Sequence, residues 1–334
     1  MKRFQNILFV NRFDNNETAL AHALALAKDN EADLTFMQAP EEIPTLSDYD
    51  LPEETEKEVA QAALTGYREK LEHLAQPHSE DIDVEVQVVV GKPFLTIIRE
   101  VLRNDHDLVI KSAEGSKGIA SRLFGTTDMR LLRKCPCPIW LVKADQPIEI
   151  KRIVAAVDFD PPGTEGENFA LNKQILEMAI SLAHKEGAKL HVVHVWQAAK
   201  DQPFYSLRSS MPDLLVMDKH LASVQETRER RLARLLEKTG IWVGEDIYAA
   251  VRPSAHVIRG RASKVISEQT HSLKADLLVM GTIGRTGIPG FIMGNTSETI
   301  LDLIDCSVLA VKPAGFISPV ELPKEQVRAE RIPD

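Results

Sequence analysis

Residues 275–296 read ADLLVMGTIGRTGIPGFIMGNT: an acidic residue, an apolar run that closes at Met280, and five glycines from Gly281 to Gly294. A short apolar run bounded by turn residues reads as a buried strand, and the stretch from Gly294 to about 304 reads as a helix. Gly281, Gly284 and Gly294 give the spacing Gly-x2-Gly-x9-Gly. That pattern matches neither the phosphate loop ending in Gly-Lys-Ser/Thr nor the Gly-x-Gly-x-x-Gly dinucleotide turn. Taken alone, the stretch is either an anion cradle or a strand-to-helix connection whose glycines serve positive φ.

The same pattern occurs earlier in the chain. HDLVIKSAEG (106–115) parallels ADLLVMGTIG (275–284), and Asp107 and Asp276 lie 169 residues apart. That separation also links Gly91 with Gly260, Gly115 with Gly284, Gly125 with Gly294, Cys137 with Cys306 and Lys143 with Lys312. Upstream, FQNILFVN (4–11) pairs with KRIVAAVD (151–158) at the smaller offset of 147, which sets Asn11 opposite Asp158. The chain is therefore read as two copies of one unit, residues 1–146 and 147–316, followed by a C-terminal tail, 317–334.

Strands are expected near 6–10, 33–38, 83–90, 107–111 and 138–143, and again near 152–157, 190–195, 254–259, 276–280 and 307–312. Helix-period segments alternate with them, at 167–186, 213–239, 261–273 and 294–304 in the second copy. This alternation implies an α/β fold, two tandem doubly wound domains of five parallel strands each. Ligands of such sheets sit outside the carboxyl ends of the strands, at the point where the winding reverses. The Met280–Gly281 turn follows such a strand end.

Composition narrows the class. The 334 residues are 44% hydrophobic and 27% charged, with a formal net charge of -9 and a sequence pI near 5.7. An acidic chain argues against nucleic-acid binding. The basic run ETRERRLARLLEKTG (226–240) reads as a solvated helix face with Glu226, Glu229 and Glu237 interleaved. Three cysteines suggest no disulfide framework. The N-terminal apolar run is too short for a signal peptide or a membrane span, so a cytoplasmic location is expected.

The strand, glycine-loop and helix element preceded by Asp-Leu-Leu-Val-Met resembles the nucleotide-binding signature of the universal stress protein family. The opening strand ending in Val157-Asp158 and the strand LHVVHVW (190–196) sit where that family has its other two pocket strands. Two copies in one chain are similar to the tandem E-type members. The resemblance implies a Rossmann-like fold of the adenine-nucleotide alpha hydrolase kind and a non-enzymatic stress-response role. It implies ATP or a related nucleotide, with Mg2+, in the second copy. There Asp158 would contact the sugar or base and Val195 would offer backbone hydrogen bonds to adenine. Met280 and Gly281 would line the pocket, while Gly284, Arg285, Gly294, Asn295 and Thr296 would hold phosphates. The family's binders carry Ser or Thr directly after the last glycine, and here that residue is Asn295, a good N-cap.

In the first copy the loop is KSAEGSKGIASRLFGTT (111–127), with Ser112 replacing the first glycine and Glu114 adding a negative charge. Asn11, Gly115, Gly125 and Thr126 are its candidate contacts, for weaker nucleotide binding or none. The last strands, Pro138–Lys143 and Ser307–Lys312, are expected to pair within one chain as a pseudo-dimer, and a further homodimer is open.

Cys135 and Cys137 are spaced C-x-C, which suits small buried thiols better than zinc. His191 and His194, on one strand, are expected to share a face, as a ligand pair or a packed polar wall. No local catalytic or metal-ligand constellation stands out. Two alternatives to nucleotide regulation remain: a carrier or sensor of an apolar small molecule, its pocket formed by the diverged first unit and the segment 196–213, and weak ATP hydrolysis.

Overall fold

The motif that reveals the repeat has a structural cause. In the computed structural model, Asp107 accepts hydrogen bonds from the backbone N–H groups of Gln5 (2.7 Å) and Asn6 (3.2 Å). Asp276 likewise accepts from Lys151 (2.9 Å) and Arg152 (2.8 Å). Each aspartate stands just before a strand and secures the start of its neighbour, satisfying N–H groups that the ladder leaves over. The structure describes residues 3–13, 16–43, 53–115, 123–144, 146–159, 167–197, 214–282 and 293–323, with backbone alone at 53, 167 and 214–218.

The first unit runs β1 (Asn6–Val10), α1 (Glu17–Asn30), β2 (Asp33–Gln38), α2 (Glu53–Ala75), β3 (Val84–Val88), α3 (Pro93–Asn104), β4 (Leu108–Ser112), α4 (Thr126–Lys134) and β5 (Ile139–Val142). The second runs β6 (Arg152–Val157), α5 (Glu167–Glu186), β7 (Lys189–Trp196), α6 (Leu214–Val243), α7 (Glu245–Val251), β8 (Ser254–Arg259), α8 (Ala262–Ser272), β9 (Leu277–Gly281), α9 (Asn295–Leu303) and β10 (Ser307–Val311). The strand order is β3-β2-β1-β4-β5 in one and β8-β7-β6-β9-β10 in the other, with parallel pairing. Both units are therefore doubly wound, reversing between β1 and β4 and between β6 and β9. The described residues from 316 to 323 group with the first unit, where the Arg99 side chain donates to the Glu321 carbonyl at 3.4 Å. The sequence reading ends the second unit at 316 and opens the tail at 317.

The central strands carry the core because helices cover parallel sheets and leave both faces apolar. Ile7, Leu8, Phe9, Phe36 and Ile110 are fully buried in the first unit, and Ile153, Val154, Ala155, Leu277 and Val279 in the second. Each Ile, Leu, Val or Phe among them contributes roughly 1.5–3 kcal/mol of transfer free energy. Gly91 and Gly260, a repeat pair, both take positive φ (140° and 154°) where the chain turns from β3 and β8 into α3 and α8. A Cβ on Gly260 would lie 2.7 Å from Val265 Cγ2, so the turn needs glycine there. Asp105 and Lys274, also 169 apart, end α3 and sit beyond α8 with φ of 51° and 49°.

Three sequence expectations change. Ile7 pairs with Leu108 as Ile153 pairs with Leu277, which sets the opening strands at an offset of 146 rather than 147. Arg12, not Asn11, is therefore the counterpart of Asp158. Second, α6 runs on to Val243, and Gly244 (φ 96°) separates it from α7, which the sequence reading did not assign. Third, His191 and His194 lie on opposite faces of β7, because residues an odd number apart on a strand alternate. His191 Nδ1 is 3.0 Å from His256 Nε2, while His194 Nδ1 is 3.2 Å from the Val157 carbonyl.

All three cysteines are buried, with Cys135 and Cys137 Sγ atoms 3.6 Å apart. The contact with Cys135 and burial together push the Cys137 thiol up. Among the described residues no group of three or more His, Cys, Asp or Glu could hold a metal ion, and no helix is long and apolar enough to cross a membrane.

His106, at the turn into β4, is 4% exposed, and burial pushes its imidazole from 6.5 down to about 4. Between those values the unfolded chain binds a proton that the native state resists. Stability is thus full above about pH 6.5 and lost as pH falls toward 4, by ~3 kcal/mol. His106→Ala places there the alanine that the second unit has at Ala275. Thermal unfolding of this variant between pH 7 and about 4.5 is expected to lose part of the wild-type pH dependence. Parallel profiles would refute this assignment.

Candidate functional site

In the second unit the winding reverses between β6 and β9, and a cavity of about 370 Å³ lies at their carboxyl ends. Its floor and walls come from the end of β6 (Ala156, Val157, Asp158), from Val195 on β7, and from Met280 and Gly281 on β9. Gly294, Thr296, Ser297 and Ile300 line it from the start of α9, and Leu171 and Asn172 from α5. Six residues expected from the sequence meet here: Asp158, Val195, Met280, Gly281, Gly294 and Thr296. Gly284 and Arg285 lie outside the described residues. Asn295 is exposed and is not part of the wall.

The cap is also placed differently. Gly294 is the N-cap of α9 and Asn295 its first residue, so Thr296 and Ser297 are the hydroxyl residues at the cavity. Gly294 N–H donates to the Thr282 carbonyl at 3.3 Å, which ties the start of α9 to the end of β9. The buried Lys312 ammonium donates to Thr282 Oγ1 at 2.9 Å, and Ser297 Oγ donates to the Gly281 carbonyl at 3.3 Å. A Cβ on Gly281 would come within 2.8 Å of Leu171 Cδ2. A side chain there would push Leu171 and narrow the cavity.

Asn172 is the residue that sequence reasoning missed. It is 4% exposed, and its side chain holds Asp158 from both sides: Oδ1 accepts from Asp158 N–H at 3.2 Å, and Nδ2 donates to the Asp158 carbonyl at 2.7 Å. The available signal was an amide on the otherwise apolar stripe of α5, three residues before Ile175. Asp158 Oδ1 in turn accepts from Phe159 N–H at 2.9 Å, and the Phe159 ring lies 4.5 Å from that of His194.

Asp158, Asn168 and Asn172 also border a second cavity of about 720 Å³. Its other walls are Phe159 and Phe169, with Arg231, Arg234, Leu235, Glu237 and Lys238 from α6. The basic run read as a solvated helix thus gives three of its cations to a cavity wall. Lys238 Nζ stands 5.2 Å from the Phe169 ring centre.

The equivalent positions in the first unit carry other chemistry. Register places Lys111 at the position of Met280, Ser112 at Gly281 and Asp128 at Ser297. Lys111 is 1% exposed and paired with Asp128, itself fully buried; burial raises the Asp128 carboxyl even with Lys111 beside it. Gly125 is the N-cap of α4 and Thr126 its first residue, while Gly115 lies beside the Leu123 carbonyl. Asn11 is 2% exposed; it bonds Asn16, and its Nδ2 donates to Gln38 Oε1 at 3.0 Å. It is a packed residue of the strand end, not the counterpart of Asp158.

Comparison with known proteins agrees with this architecture. A profile of the universal stress protein family matches residues 3–143 and again 149–312. Universal stress protein E of Escherichia coli (strain K12) is 31% identical over 252 residues, covering 73% of this chain and 73% of that protein. The universal stress protein E homolog of Haemophilus influenzae is 25% identical over 325 residues, 93% of this chain and 98% of the homolog. Among solved structures, a universal stress protein from Archaeoglobus fulgidus DSM 4304 aligns with a TM-score of 0.58 at 18% identity, covering 94% of this chain and 98% of that one. The chain belongs to the universal stress protein family, with one family domain in each of its two units.

Proposed function

We propose that the protein is a tandem stress-response protein whose second unit binds ATP or a related adenine nucleotide as a regulatory ligand. The observation that carries this reading is the convergence of Asp158, Val195, Gly281, Gly294 and Thr296 on one cavity at the carboxyl edge of the sheet. Its volume, about 370 Å³, lies in the range of small-molecule sites. The start of α9 turns the positive end of its dipole and its orphan N–H groups toward that cavity, which suits phosphate. Val195 would meet the base, Asp158 the sugar, and Thr296 and Ser297 the phosphates carrying Mg2+. The role is binding rather than turnover: among the described residues of the wall, Asp158 is the one ionisable side chain, and it is exposed.

A second reading, carriage of an amphipathic small molecule, is favoured by the 720 Å³ cavity with its Phe159, Phe169 and Leu235 walls. Mass analysis of an organic extract from the purified protein checks it. A co-purified molecule lost in Phe169→Ala supports carriage, and a clean extract from both proteins removes it.

For the nucleotide, thermal unfolding in ATP–Mg2+ is the direct check. A ligand near 100 times its Kd adds about 2.7 kcal/mol, a rise in Tm of several degrees. The rise is expected in the wild type, reduced in Asn172→Ala, where Asp158 loses its backbone clamp, and absent in Gly294→Val. No rise in the wild type, or an equal rise in Gly294→Val, would overturn the proposal.

A further inference from the structure

The start of α4 in the first unit is the structural counterpart of the start of α9, yet the N–H groups of Gly125 and Thr127 are already engaged by carboxylates. Thr127, the counterpart of Thr296, donates its backbone N–H to Glu114 Oε2 at 3.2 Å. Lys111 Nζ lies 3.4 Å from Glu114 Oε1. Asp128 Oδ2 accepts from the N–H groups of Gly125 (3.1 Å) and Glu114 (2.7 Å), and its other oxygen is bonded to Lys111. A Cβ on Gly125 would fall 2.5 Å from Glu114 Oε2, so the carboxylate rests against the bare Cα of the loop's last glycine.

We propose that Glu114 is the internal ligand of the first unit: its carboxylate takes the phosphate position at the start of α4 and closes that cradle to free anions. The cradle's parts are all present: a glycine that permits close approach, a helix start, a cation and an anionic oxygen bonded to a backbone N–H. The anion simply comes from the chain itself. The substitutions are concerted, because the second unit has Met280 for Lys111, Ile283 for Glu114 and Ser297 for Asp128. None of these three is charged, so removing the internal anion goes with removing its counter-ion and its buried neighbour. A free phosphate would have to displace Glu114 from Thr127 and Lys111 and then sit beside the buried Asp128 carboxylate. The two copies therefore divide into a self-filled cradle and an open one. This inference concerns the first unit alone and stands whether or not the second binds nucleotide.

Hydrogen exchange read by mass spectrometry on the full chain tests it, with inorganic phosphate as the probe. In the wild type, amides of a peptide covering 123–131 are expected to exchange at a rate indifferent to millimolar phosphate. In Glu114→Ala the same amides exchange faster, and phosphate slows them again by about tenfold, the protection that a ligand well above its Kd gives. A peptide covering 293–301 reports on the second unit separately in the same experiment. Should Glu114→Ala not fold, as judged by its thermal transition, Glu114→Ser opens the same space while keeping a hydroxyl. Phosphate protection of 123–131 in the wild type, or its absence in a folded variant, would overturn the proposal.

Discussion

A helix that begins at the carboxyl edge of a parallel sheet leaves its first-turn N–H groups without intrahelical partners, and something must accept from them. This demand shapes both units. At α4 the chain answers it with its own carboxylates, Asp128 on Gly125 N–H and Glu114 on Thr127 N–H. At α9, Gly294 N–H reaches the Thr282 carbonyl, and no carboxylate occupies the positions of Glu114 and Asp128. One scaffold thus presents two electrostatic states at the same place. Removing one partner of the Lys111–Asp128 pair would leave a buried charge uncompensated, a cost of ~3–5 kcal/mol. The first unit is correspondingly committed to its filled state.

The scaffold places this edge by securing the opposite one. Asp107 and Asp276 tie the starts of β1 and β6 to the strands beside them, fixing the register of the central pair in each sheet. A parallel pair slipped by one residue would turn every side chain to the other face. At the far end, that register determines which residue stands beyond the last ladder bond: Asp158 in the second unit and Arg12 in the first. Asn172 then holds the Asp158 backbone through both of its polar groups.

Much of this was legible in the sequence, because spacing and period survive in a repeat. The ten strands and the glycine pairs 91/260, 115/284 and 125/294 could be found from apolar runs and offsets. The one-residue offset of β1 against β6 was hidden, since runs such as ILFV and IVAAV are apolar throughout and align equally well after a slip. The ladder pairs Ile7–Leu108 and Ile153–Leu277, with the hydrogen bonds to Asp107 and Asp276, settle it. Asn172 was hidden because a single amide in an apolar helix stripe carries no local signature of what it holds. Lys111, Glu114 and Asp128 were each visible as charges. That they converge is seen in the hydrogen bonds of the folded unit, not in any spacing rule. The α6 face is solvated as read, with Arg234 and Lys238 exposed, but helical period does not say that it also borders a cavity.

The division between an open and a self-filled cradle is tested most directly by counting. Native mass spectrometry of the full chain titrated with ATP–Mg2+ is predicted to show a single nucleotide bound per chain at saturation. Two nucleotides per chain would contradict the closure of the first unit, and none would contradict the openness of the second.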